Sequence, residues 1–363
     1  MSDSLRRYRA IRDALMQLYP TTLTARRAHH LITLAALISG IVGSRQTQLP
    51  AIASKLPDRT KRESRVKRFQ RWLTNPHVTP EIYFLPFAQA LIQSLAHVPL
   101  VFVIDGSTVG RGCVALVVSV VYQGRALPIA WLVVTGRKGH FALDTHLRLV
   151  QQIQPLVPPD ATVIFLGDGE FDGPGLQACL TNLGWSYVCR TAKNIQIQSH
   201  GEWLTLADLY LEPGQVVGLP DVHMTEQAYG PVLVLAWWAR GYAEPLYLVT
   251  NLELVAEACW WYRKRFTIET FFSDQKSRGF HLHQSHLADP ARLAHLLLAA
   301  CLAYLWIIYL GVLARRDDWI GVIHRTDRCD LSVFQLGLIL LDHLLNEGLP
   351  IPVAFHPPEL EVV

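Results

Sequence analysis

The order in which apolar runs alternate with turns between residues 99 and 192 limits the fold more than any other feature. PLVFVIDGS (99–107) is apolar, rich in β-branched residues and bounded by Pro and Gly. CVALVVSVVYQG (113–124) and RALPIAWLVVTG (125–136) follow after tight turns, so the three read as antiparallel strands in a meander. DTHLRLVQQIQPLV (144–157) has helical spacing and TVIFLGDGEF (162–171) is a buried strand. GPGLQACLTNLG (173–184) is a helix ending at Gly184, and SYVCRTA (186–192) is another strand. The order βββαβαβ describes an α/β domain whose first and fourth strands are neighbours.

That is the order of a ribonuclease H-like catalytic core, in which carboxylates gather at the ends of central strands. Residues 1–98 read instead as helices, at 27–44, 48–57 and 64–75. Residues 193–251 hold strand-like pieces at 202–211, 215–220, 230–240 and 244–251, separated by turn residues. Helix returns at Leu254 and continues through CWWYRKRFTIETFFSDQKSRG (259–279). The expected organisation is an N-terminal helical, basic DNA-binding domain (1–98), the first part of the core (99–192), a β-rich insertion (193–251), the second part of the core (252–345) and a Pro-rich, extended or loose tail (346–363).

Charge separates these parts. Net charge over all 363 residues is +3, yet residues 1–98 carry 15 Lys and Arg against 5 Asp and Glu, a net of +10, and the remainder carries −7. A basic module on an acidic body points to a polyanion, with nucleic acid ahead of an anionic membrane. In the segment 59–71, Arg59, Lys61, Arg62, Arg65, Lys67, Arg68 and Arg71 face only Glu63. The helix 64–75 buries Val66, Phe69, Trp72 and Leu73, leaving a basic stripe for DNA phosphates; the plainer alternative is a solvated face. The six cysteines form no C-x-x-C pair, and the N-terminus has no apolar signal-like segment, so a reducing cytoplasm is expected. Residues 293–313 are apolar over about the length of a bilayer span, but His295 within them and the polar stretch before them favour a helix in a protein core.

Asp105 lies at the end of the first strand and Asp168 at the end of the fourth, so neighbouring strands bring the two carboxylates together. Close carboxylates repel unless a cation sits between them, and Mg²⁺ suits such oxygen ligands. Both aspartates precede glycine, which alone fits a turn equally well, and Glu170 and Asp172 are nearby substitutes for Asp168. A third carboxylate comes from the later helix. Tyr262, Arg265, Glu269 and Lys276 are spaced by three, four and seven residues, which keeps them on one face of an α-helix. Such a face is a ladder of surface ion pairs, with Arg265–Glu269 at i,i+4, or the rim of an active site.

The pattern Tyr262-x2-Arg265-x3-Glu269-x6-Lys276 resembles the Y-R-E-K signature of the DDE transposases of the insertion sequence four (IS-four) family. SRGFHLHQSHLADPARL (277–293) is similar to the segment after that signature in many bacterial members, and VIDGS and GDGEFDG look like the first two Asp motifs. The resemblance covers roughly residues 60–310. It implies a bacterial, nucleoid-associated enzyme whose Asp105, Asp168 and Glu269 hold two Mg²⁺ or Mn²⁺ ions. It also implies cleavage of the element's inverted-repeat ends and transfer of the freed 3′-OH to target DNA, by a homodimer that pairs two ends. Tyr262, Arg265 and Lys276 would grip end phosphates. Members that form hairpins hold a flipped base with an aromatic residue from the insertion. Trp237, Trp238 and Tyr247 are all candidates here, and Trp238 stands with Arg65, Lys67, Arg68 and Arg71 among the expected DNA contacts.

His281, His283 and His286 form an H-x-H-x-x-H cluster with no fourth ligand in sight, so a loop near DNA is preferred to a metal site. Arg137, Lys138 and His140 follow the third strand as phosphate contacts or as a solvated loop. Two other readings use the same residues: a nuclease of this fold without strand transfer, and a non-catalytic DNA-binding descendant.

Overall fold

The computed structural model describes residues 2–19, 23–139, 141–325 and 328–358. The meander appears as β1 (Leu100–Gly110), β2 (Cys113–Tyr122) and β3 (Arg125–Thr135), followed by α-helix Leu143–Ile153, β4 (Val163–Gly167), α-helix Pro174–Asn182 and β5 (Ser186–Thr191). β1 pairs antiparallel with β2 and parallel with β4, and β4 runs parallel to β5. β1 is buried along nearly its whole length because helices cover one face and chain the other, which is why its sequence is apolar without alternation.

The region expected to form an insertion holds β6 (Gln196–Ser199), which was not among the expected strands, and β7 (Glu202–Thr205), β8 (Val216–Met224), β9 (Tyr229–Trp237) and β10 (Leu246–Thr250). They extend the same sheet. Its ten strands run in the order β3-β2-β1-β4-β5-β10-β9-β8-β6-β7, with β10 antiparallel to β5. The fold is therefore mixed α/β around one large sheet.

In chain order the helices are α1 (Asp3–Gln17), α2 (Ala25–Ser44), α3 (Leu49–Ser54), α4 (Arg62–Leu73), α5 (Pro80–Tyr83) and α6 (Leu85–Leu95). The two helices of the first βαβαβ stretch are α7 and α8, and α9 (Val255–Tyr262), α10 (Thr267–Gln275), α11 (Pro290–Arg316), α12 (Ile320–Ile323) and α13 (Val333–Asn346) follow the sheet. α11 is the apolar helix anticipated at 293–313. It is long and apolar enough to cross a membrane, with mean hydropathy 2.4, but 94% of that window is buried against the sheet and its neighbouring helices. Its His295 donates through Nδ1 to the Leu73 carbonyl at 2.7 Å, so this ring is satisfied where α4 ends. α11 and α13 cross at Gly311 and Gly337, where a Cβ on either would strike the carbonyl of Val333 or Ile307. Through α11 the N-terminal helices share one core with the sheet.

The tail is extended but not loose up to residue 358. Phe355 is 2% exposed and packs edge-on against Phe87 with ring centroids 5.0 Å apart, and the Trp306 indole donates to the Pro352 carbonyl at 3.0 Å. The last residues of the expected tail, 359–363, lie outside the described residues.

Candidate active site

The last parallel pair between β1 and β4 is Val103 with Leu166. Asp105 and Asp168 each lie two residues further on, so the same register puts them side by side. Asp105 is not at a strand end as expected: β1 runs on to Gly110, paired there only with β2. It is β4 that stops, at Gly167, and this opens the space in front of Asp105. Asp105 is 3% exposed, and burial raises its pKa, opposed by Lys138 and reinforced by the charge of Asp168. Its Oδ1 accepts from the Gly106 amide at 2.7 Å, and the Lys138 ammonium lies 2.9 Å from the same oxygen.

The half-buried Asp168 caps its own turn, accepting at Oδ1 from the Glu170 amide at 3.0 Å. The two expected substitutes have other tasks. Glu170 accepts from the Phe141 amide at 2.7 Å, and Asp172 accepts from the Thr191 hydroxyl at 2.7 Å. Burial raises both carboxyls, and the Glu170 carboxyl also feels the charges of Asp168 and Asp105. His146 on α7 is 4% exposed, rests against Phe171 and has a buried Nε2 with no hydrogen-bond partner. Burial lowers its pKa, with Asp168 acting the other way.

The segment carrying the later candidates is not one continuous α-helix. A 3-10 turn, Arg263–Phe266, separates α9 from α10 and breaks the 3.6-residue spacing. Tyr262, Arg265, Glu269 and Lys276 therefore do not share one regular face. Tyr262 is 1% exposed, near enough to Asp168 and Arg190 to feel their charge, and burial pushes its pKa up to about 12. The Arg265 guanidinium is buried over the Phe266 ring at 4.2 Å. The Glu269 side chain is 60% exposed and receives Arg265 Nη2 at 3.4 Å.

Lys276, just past α10, donates to the Ser107 hydroxyl at 2.6 Å. Ser107 is two residues from Asp105 on β1 and so on the same face of the strand. The segment is thus anchored at both ends, by Tyr262 near Asp168 and by Lys276 near Asp105. The structure brings Asp105, Asp168, Tyr262 and Lys276 together and leaves the Glu269 carboxylate turned toward Arg265 and solvent. Among the described residues, no three His, Cys, Asp or Glu side chains form a ready metal cage, and this includes His281, His283 and His286. Two buried or half-buried aspartates with an ammonium already neutralising one of them nevertheless present the donor chemistry of a hard cation site.

Beside Asp168 opens a cavity of about 360 Å³, lined among others by Arg190, Lys193 and Tyr247. Arg190 and Lys193 were not anticipated; their only sequence signal is a cation at the end of β5 next to the second Asp motif. Trp238 lies just past the C-terminal end of β9, half-buried, its indole donating to the Tyr242 carbonyl at 2.9 Å. Trp237 lies under the Arg263 guanidinium at 5.1 Å.

The basic stripe is partly structural. Arg65 donates to the carbonyls of Ala53, Leu56 and Asp58 and pairs with the Asp58 carboxylate at 2.6 Å, which ties α4 to the end of α3. Arg68 approaches the same carboxylate at 3.4 Å. Asp58 lies just before the segment in which only Glu63 had been counted, so two of the seven cations are offset. Lys67 and Arg71 are exposed, as are Arg59, Lys61 and Arg62. His140 lies outside the described residues.

The family model described as "Transposase DDE domain" matches residues 97–306, a span that holds all ten strands and every candidate carboxylate. No curated protein matched the chain significantly. Among solved structures, the chain is similar to the cryo-EM structure of the piggyBac transposase synaptic complex with hairpin DNA. The TM-score is 0.48 at 11% identity, over 99% of this chain and 83% of that one.

Proposed function

Because the chain belongs to the transposase DDE domain family, we propose that it is a DNA transposase whose reaction centre lies between Asp105 and Asp168, with Glu269 as third carboxylate. The observation that carries this reading is the shared level of the two aspartates on adjacent parallel strands, with the Glu269 segment anchored across them. We read the strand order β3-β2-β1-β4-β5 as a ribonuclease H-like core, and the remaining strands as its insertion.

DDE transposase domains generally use divalent metal ions. Asp105, Asp168 and Glu269 would hold two Mg²⁺ or Mn²⁺ ions, which supply a water nucleophile and neutralise charge on the leaving 3′ oxygen. The chain's own residues hold the DNA. Lys276, fixed by Ser107, presents an ammonium to a phosphate beside Asp105, and the Arg190 guanidinium and Lys193 ammonium present cations beside Asp168. Tyr262 supplies a phenol on the same side. Glu269, whose side chain is 60% exposed, would join the aspartates by exchanging its contact with Arg265 for the bound ions, which would leave the Arg265 guanidinium for a phosphate. Exposed Lys67 and Arg71 grip the duplex further out.

We assign the chain to the insertion sequence four family, acting as a homodimer on two inverted-repeat ends. Trp238 is its candidate for holding a flipped base if a hairpin forms. The test is incubation of the element's own ends with a separate target duplex and Mg²⁺. Metal-dependent joined products are expected. Nicked ends that never join to target would make the protein a nuclease, and uncut DNA would reject the reading.

A further inference from the structure

The ammonium of Lys138 lies 2.9 Å from Oδ1 and 3.2 Å from Oδ2 of Asp105, a two-pronged contact. The aspartate side chain is 5% exposed while the lysine is 50% exposed, so one partner is fixed and the other can leave. Lys138 sits in the loop after β3, between Gly136 (φ 150°) and Gly139 (φ 89°). Nothing lies within 4 Å of where a Cβ would project from either glycine, so the loop is unpacked on those sides; Gly136 is held by its amide to the Gly112 carbonyl at 3.0 Å, which leaves Lys138 and Gly139 beyond that anchor.

The surroundings give the lysine a reason to be there and a reason to go. Asp105 shares its space with Asp168 and, more weakly, with Glu170, so a lone carboxylate there is repelled from two sides. An ammonium relieves this repulsion. A divalent cation relieves it better, because it carries twice the charge and binds carboxylate oxygens directly. With the lysine nitrogen on both oxygens and the Gly106 amide on Oδ1, three of the carboxylate's roughly four lone-pair directions are already taken, so an arriving cation meets both an occupied ligand and a like charge. Lys276 is close enough for its own charge to be felt by both Lys138 and Asp105, which adds to the crowding of positive charge once a metal arrives.

We propose that Lys138 is the resident counter-ion of Asp105 in the metal-free protein, and that divalent-cation binding expels it toward the phosphates of bound DNA. This rests on the reading above that Asp105 holds a divalent ion. It makes metal and DNA cooperative ligands: metal frees an ammonium that DNA then uses, and DNA in turn holds the ammonium away from the metal site.

Lysine acylation rates, measured residue by residue by mass spectrometry, test the release. Addition of Mg²⁺ should raise the reactivity of Lys138 by about threefold or more, with exposed Lys67 unchanged. Mn²⁺ binding, followed by the paramagnetic signal of the free ion, tests the competition. Lys138→Met should bind Mn²⁺ about threefold or more tighter than wild type. Lys193→Met removes a nearby charge without removing the contact and should shift affinity less. Unchanged Lys138 reactivity in protein saturated with Mn²⁺ would overturn the inference alone, as would equal shifts from the two Met variants. Absence of Mn²⁺ binding in wild type, indistinguishable from Asp105→Asn, would overturn the metal reading and this inference with it.

Discussion

Lys276 and Ser107 join the two halves of the candidate site: the ammonium donates to the hydroxyl at 2.6 Å and ties the end of α10 to the strand that carries Asp105. The hydroxyl orients the lysine, and the lysine presents the charge. Lys276→Ala should therefore reduce cleavage of end-containing DNA by about 10²-fold or more. Ser107→Ala should cost less in rate and appear mainly as weaker DNA binding. Steady-state cleavage and end-binding titrations on both variants separate these effects; equal losses in both would show that the contact is only structural.

The basic stripe splits into residues that hold the protein and residues that face outward. Arg65→Ala should destabilise folding by about 2 kcal/mol, because it leaves three part-buried carbonyls unpaired and removes the nearer of the two cations on Asp58. Lys67→Ala and Arg71→Ala should change stability by no more than about 0.5 kcal/mol. Each should also lower the salt dependence of DNA binding by about one charge. Urea unfolding and binding at several salt concentrations measure both. An Arg65 variant that is fully stable yet blind to DNA would reverse this division.

Asp274 is held by Arg125 at 2.9 Å, yet burial outweighs that attraction and raises its pKa to about 6. An unfolded aspartate titrates near about 3.9. Between those values the unfolded chain has released a proton that the folded chain still holds. Stability from this group is therefore full at the acidic end and falls as pH rises from about 4 to 6. Asp274→Asn should flatten that slope whatever it does to the absolute stability. Parallel wild-type and variant curves of unfolding free energy against pH across this window would contradict it.

The docked tail contributes to the core. Phe355→Ala removes a ring that is 2% exposed and should cost about 3 kcal/mol, seen as a lower midpoint in denaturant with an unchanged slope. A midpoint equal to wild type would mean that residues 350–358 leave Phe87 at little cost in solution.

The strand order and the two aspartates were legible because run length, β-branching and turn residues act locally; β1 to β5 begin where PLVFVIDGS and its successors place them, although β1 runs on to Gly110 and β4 stops at Gly167. The break at Arg263–Phe266 was not, since no Gly or Pro marks it. One of its cations is held by a ring distant in sequence, Arg263 over Trp237 at 5.1 Å, while Lys264 lies over Trp260 at 3.7 Å, one turn back. β6 escaped notice because NIQIQS is short and polar, and it pairs only with β7 and β8. The continuation of the sheet through β10 depends on pairing with β5 across more than fifty residues, which no local pattern encodes. At the site, Asp105 and Asp168 were visible as motif residues. Lys138 was legible as a phosphate contact or a solvated loop residue but not as the partner of Asp105, because that contact spans 33 residues of chain.

The central claim is best measured with Asp105→Asn, Asp168→Asn and Glu269→Gln, each first shown to bind DNA ends as wild type does, in Mg²⁺-dependent cleavage of those ends. Each should cut at least about 10³-fold more slowly than wild type. Wild-type cutting by Glu269→Gln would remove that residue from the reaction, and wild-type cutting by either aspartate variant would place the chemistry elsewhere in the molecule.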